Sequence, residues 1–189
     1  MKTLVVGEGE HEQAALAVLV ERISSRPLQC DFDFISSPHL HAHHGKGQGF
    51  VKRAVHWCLE AQKRGYEALV LLADHDGRDE RIREMNIAQE LDLGVSRRAM
   101  GIAIRTFDAW MLADERALSK VLGCSVSRQP DVETISDPKG RCAGFLESVG
   151  GQVSQRHFYA KLAHAMDLRV LEDRSSRGFA PFARRIREL

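Results

Sequence analysis

No run of apolar residues in this chain approaches the roughly 20 needed to cross a bilayer as a helix, so no membrane association is expected. The first predicted strand begins almost at Met1, and the expectation is a chain without a signal peptide, located in the cytoplasm. Cysteine is scarce and scattered. Cys30, Cys58, Cys124 and Cys142 form no CxxC pair and read as reduced thiols or small core residues. Neither charge is in surplus, with 27 Lys and Arg against 26 Asp and Glu, so bulk charge does not announce a polyanionic partner. Internal repeats and low-complexity segments are also missing. What remains is a 189-residue chain of a size that suits one domain with a substantial core.

The order of elements is informative. Thr3 to Val6 reads as a short apolar strand, followed by a helix from about Glu12 to Ile23 with Leu16, Leu19, Val20 and Ile23 on one stripe. Asp31 to Ile35 alternates polar and apolar residues, as a half-exposed edge strand does. After a loop rich in His and Gly, a helix over about Phe50 to Arg64 puts Phe50, Ala54, Trp57, Cys58 and Ala61 on one face. Ala68 to Ala73 is apolar on both faces, the pattern of a central parallel strand. A charged helix over Asp79 to Leu91, closed by Gly94, leads to a fourth strand, Ile102 to Phe107. Asp108 is then expected to cap a helix holding Trp110, Met111, Leu112, Ala117 and Leu118, with the two large side chains in the core.

This alternation predicts a doubly wound α/β fold, a mostly parallel sheet with helices on both faces. Residues 1–123 form that core, and residues 124–189 form a mainly helical C-terminal part. Helices are expected there over about Lys139 to Val149, Gln155 to Met166 and Phe179 to Glu188.

Acidic residues stand where two of the strands stop. Glu8 and Glu12 follow the first strand, and Asp74-His75-Asp76 follows the third. In an open parallel sheet, functional groups gather outside the carboxyl ends of the strands. Carboxylates meeting there repel each other unless a divalent cation joins them, which points to Mg²⁺ (or Mn²⁺) and phosphate chemistry. Asp74 and Asp76, two apart, share a face of an extended backbone, and Gly77 permits a sharp turn after them. The plainer reading of such acids is as helix caps and solvated turn residues.

Gly7-Glu8-Gly9-Glu10-His11-Glu12 and Leu72-Ala73-Asp74-His75-Asp76 resemble the two signatures of Toprim domains, found in topoisomerases, primases, OLD-family nucleases and RNase M5-type maturases. More narrowly, the chain resembles a bacterial Toprim-like family of unknown function. That likeness adds Gly45-Lys46-Gly47, the run Asp108 to Asp114, and Asp137-Pro138-Lys139, and so covers nearly the whole chain. His11 replaces the hydroxyl residue usual in the first motif, and Asp108 replaces the Glu usual before Ala-Trp.

The resemblance implies a Toprim-like, Rossmann-like fold and a Mg²⁺-dependent nuclease or phosphotransferase acting on nucleic acid, in phage defence or RNA processing. Glu8 would transfer a proton, Asp74 and Asp76 would hold the metal, and Glu8 and Glu12 would support them. Gly9, His11, Lys46 and Asp114 would lie against substrate. Lys139, at a helix N-terminus, would stabilise the phosphate in catalysis. Six arginines after position 168 (Arg169, Arg174, Arg177, Arg184, Arg185, Arg187) would help to hold the backbone.

Other readings compete. His39, His41 and His43 on an extended segment would suit Zn²⁺ or Ni²⁺, or the loop would be solvated or touch substrate. A catalytically silent binding subunit, working with a protein partner encoded in the same operon, would keep the same motifs. Oligomeric state is left open. A dinucleotide-binding role is disfavoured because Glu12 occupies the third glycine position of a Rossmann turn.

Overall fold

The computed structural model describes residues 1–35, 49–91, 97–148 and 153–189. The histidine loop, Lys46 and Gly94 lie outside the described residues. Four strands, β1 (Lys2–Gly7), β2 (Gln29–Phe34), β3 (Ala68–Asp74) and β4 (Arg98–Ala103), form one all-parallel sheet in the order β2-β1-β3-β4. Nine α-helices accompany them among the described residues. The fold is therefore α/β and Rossmann-like, and β2 is an edge strand as its alternation suggests.

Both faces of the sheet are covered, which explains why β3 reads as an unbroken apolar run. Leu4, Val6, Leu69, Leu71 and Ala73 point to one face and pack with α2 (Phe50–Lys63) and α3 (Asp79–Glu90). Val5, Val70 and Leu72 point to the other, against α1 (Glu10–Ile23), α4 (Phe107–Met111) and α5 (Glu115–Leu122). The C-terminal helices join this second face. They are α6 (Pro138–Ser148), α7 (Gln155–Ala165), α8 (Leu168–Arg174) and α9 (Phe179–Arg187). Phe158, Leu162, Phe179 and Phe182 are buried in the same cluster as Leu16 and Leu19 of α1.

Three local expectations are corrected. The fourth strand runs over Arg98–Ala103 rather than Ile102 to Phe107. Its pairing with β3 ends at Ala103, and Arg105 turns the chain out of the sheet with φ 65°. Gly101 belongs inside the strand because Phe182 of α9 lies where a Cβ would stand, 2.4 Å from its Cδ2. The helix expected after Asp108 is two helices, α4 and α5, and Asp108 caps neither: Thr106 is the N-cap of α4 and Asp114 that of α5. Finally, Leu168–Arg174 forms a helix, α8, that the sequence pattern does not announce.

Candidate functional site

The strand order reverses between β1 and β3, since β2 lies beyond one and β4 beyond the other. The crevice at such a switch point is where open α/β sheets bind ligands. Glu8 leaves the end of β1 there, and Asp74 ends β3. The two are joined directly, because the Asp74 backbone N–H donates to Glu8 Oε1 at 3.1 Å. Asp74 Oδ1 in turn accepts the Phe107 N–H at 2.8 Å, tying β3 to the first turn of α4.

Glu12 enters from α1. Gly9 is the N-cap of that helix and has no side chain to cap with, and the Glu12 carboxylate folds back over it, where the backbone N–H groups of Gly9 and Glu8 partly offset its burial. Asp76 reaches the site by a strained turn, with φ 51°. Its N–H donates at 3.0 Å to the carbonyl of Arg105, the other non-glycine residue with positive φ among the described residues. Arg105 is braced by Ile135 O at 3.1 Å and Ser136 O at 2.8 Å. Backbone strain of this kind costs on the order of 1–3 kcal/mol per residue and clusters at functional sites.

The electrostatics follow from this crowding. Asp74 is pushed up to about 9, first by burial and then by the charges of Glu12, Glu8 and Asp76. Glu12 is pushed up to about 7 by burial, Glu8 and Asp108. Glu8 is raised by burial, an effect that the Asp74 N–H, Arg81 and Arg53 oppose.

Arg81, one turn into α3, is the counter-charge. Its Nη1 donates to Asp76 Oδ2 at 2.8 Å and to the Asp74 carbonyl, and lies 3.8 Å from Glu8 Oε1. Its side chain is only 12 % exposed and stacks on Phe50, 5.4 Å from the ring centroid. Helical side chains lean toward the preceding turn, so a residue in the first turn of α3 reaches back to the strand end. That lean is the signal by which sequence reasoning could find Arg81.

The structure brings Glu8, Glu12, Asp74 and Asp76 together at one edge and leaves the other expected residues more peripheral. Gly9 sits beside Glu12, whereas His11 is exposed on the first turn of α1. Lys139 is exposed at the start of α6, next to Pro138, which lines a cavity of about 260 Å³ with Asp76, Arg105 and Thr106. Asp114 is elsewhere. Its Oδ1 caps the N–H groups of Arg116 and Ala117, each at 3.0 Å, and its Oδ2 accepts the Asp167 N–H at 2.9 Å. Asp108 is buried behind Glu12, where the Tyr159 hydroxyl donates to its Oδ1.

Several C-terminal arginines expected to face substrate bind the protein instead. Arg174 donates to Ala113 O and Pro130 O at 2.9 and 2.7 Å, Arg185 to Met100 O at 2.6 Å, and Arg187 to Glu172. The guanidiniums of Arg174 and Arg185 satisfy backbone carbonyls of the fold, which removes them from any backbone-binding surface.

An all-oxygen, mutually repelling donor set suits a hard divalent cation. Among the described residues no three His, Cys, Asp or Glu side chains are grouped so that they could hold a metal ion. Arg81 now holds the Asp76 oxygen that such a cation would take. No family model, curated protein or solved structure matches this chain. Among the described residues, no helix is long and apolar enough to cross a membrane.

Proposed function

We propose that the chain is a Mg²⁺- or Mn²⁺-dependent enzyme of Toprim-like type that acts on nucleic-acid phosphodiesters. The observation that carries this reading is the convergence of Glu8, Glu12, Asp74 and Asp76 at the switch point, with Asp74 and Glu12 held well above the ordinary carboxylate range by burial and by neighbouring negative charge. Groups perturbed in this way, in a crevice, are marks of a functional site. Asp74 and Asp76 would hold the cation with help from Glu12. When bound, the cation supplies charge neutralisation for the phosphodiester and an activated water. Glu8, half-buried with a raised carboxyl, is suited to accept and return a proton. Lys139 would bring positive charge from the Asp76 side of the cavity.

One observation favours a second reading, a binding subunit without catalysis that acts with a protein partner. Arg81 already neutralises Asp76 and sits close to Glu8, as a structural ion pair does. The readings separate in a cleavage assay on labelled DNA and RNA with Mg²⁺ or Mn²⁺, comparing wild type with Glu8→Gln and Asp74→Asn. The expected result is metal-dependent cutting reduced at least about 100-fold in both variants. A folded wild type that cuts nothing, or variants that cut like wild type, would remove the catalytic reading.

A further inference from the structure

We infer that a cavity beside the acid cluster, between the start of α2 and the start of α3, is a subsite for a backbone phosphate of nucleic acid. The cavity holds about 360 Å³, and its lining includes Phe50, Arg53, Arg78, Arg81, Glu80 and Glu84. Its charges sort themselves by their partners. Glu84 is committed to the helix start: it accepts the Phe50 N–H, and its Oε1 stands 2.8 Å from where a Gly49 Cβ would be. Arg81 is committed to Asp76. Among the described residues no carboxylate pairs with Arg53 or Arg78, and both residues are exposed to solvent. Glu80 is the remaining acid of the lining.

Phe50 organises the group. Its buried ring carries the Arg53 guanidinium at 5.8 Å and that of Arg81 at 5.4 Å. A guanidinium stacked on an aromatic ring keeps its in-plane N–H groups free for an oxyanion. Arg81, part of the same lining, lies 3.8 Å from Glu8 Oε1. The unpaired arginines and the acids of the crevice therefore border one another. A phosphodiester strand entering the crevice would place one phosphate at the acids and a neighbouring one at Arg53 and Arg78. Two unpaired arginines contacting one phosphate bind charge rather than sequence, so this subsite positions the strand and does not select bases.

The placement rests on the proposed catalytic reading, but the affinity for phosphate does not, and the test separates them. Binding of fluorescently labelled single-stranded DNA and RNA is measured by anisotropy in EDTA, across about 50 to 200 mM salt. Wild type is compared with Arg53→Ala/Arg78→Ala and with Arg53→Lys/Arg78→Lys, each checked for fold by circular dichroism. The double alanine variant should bind at least about tenfold more weakly, with a salt slope reduced by about one for each phosphate it no longer neutralises. The double lysine variant should recover part of the affinity. A folded double alanine variant that binds like wild type, or a wild type that binds neither strand, would overturn the subsite. Arginine-dependent binding without cleavage under any metal would leave the subsite standing and remove catalysis. Cleavage unchanged in the double alanine variant would do the reverse.

Discussion

At the residue scale, Asp74 stands at the centre of the crowding. Its Oδ1 serves the Phe107 N–H while its charge meets those of Glu12, Glu8 and Asp76. An unfolded aspartate ionises at about 3.9. In the folded chain Asp74 keeps its proton to about 9. Below about pH 4 both states are protonated and the group costs nothing; as pH rises toward 9 the folded state holds a proton that the unfolded chain has released. Stability due to this group is thus fully present in acid and is lost as pH rises. Asp74→Asn keeps an oxygen for Phe107 and removes the charge. Urea unfolding without divalent cations should find the variant equal to wild type near pH 4 and more stable by at least about 1 kcal/mol at pH 8. Equal stability at both pH values would mean that the carboxylates are not crowded.

Glu8 and Asp74 are legible in the sequence because acids at a strand stop are positioned by the strand itself, and Glu12 and Asp76 follow from the helix start and the turn directly after them. Arg81 is not, although it holds the cluster together, because its role depends on α3 starting where it turns back on β3. Arg53 and Arg78 are hidden for the same reason. Only the packing of α2 beside α3 brings residues so far apart in sequence to one cavity.

At the element scale, helical stripes are plain in the sequence. Leu16, Leu19, Val20 and Ile23 are all buried in α1, and Phe179, Phe182, Ala183 and Ile186 in α9. Period alone suffices where a helix lays one face on a sheet. The break between α4 and α5 is invisible to period because Trp110 to Ala113 is buried on every side, leaving no polar face to mark an end. The break gives Asp114 its task, capping α5 with one oxygen and fastening the N-cap of α8 with the other. Asp114→Ala removes both and leaves the Asp167 N–H without its acceptor. The expected loss is about 1–2 kcal/mol, measured as a lowered Tm, with metal binding at the acid cluster unaffected. A variant that keeps wild-type stability but loses metal binding would return Asp114 to the site.

At the scale of the whole molecule, the helices after residue 124 finish the sheet rather than append to it. Phe158, Leu162, Phe179 and Phe182 complete the apolar face begun by Val5, Val70 and Leu72, and Trp110 packs edge-on to Phe179 at 5.0 Å between centroids. This layer consumes Arg174 and Arg185 in carbonyl contacts, so the α2 and α3 side supplies positive charge beside the acids. Such an arrangement puts the acids of the crevice beside a cationic bank, the layout on which the proposed reading rests.

Whether the crevice takes a divalent cation in exchange for Arg81 decides between an enzyme and a structural ion pair. Titration of Mn²⁺ into the protein, followed by calorimetry, tests this most directly, with Asp74→Asn and Arg81→Ala alongside wild type. Saturable binding that is lost in Asp74→Asn and tightened in Arg81→Ala is the predicted result. The absence of saturable binding, or binding indifferent to Asp74, would contradict it.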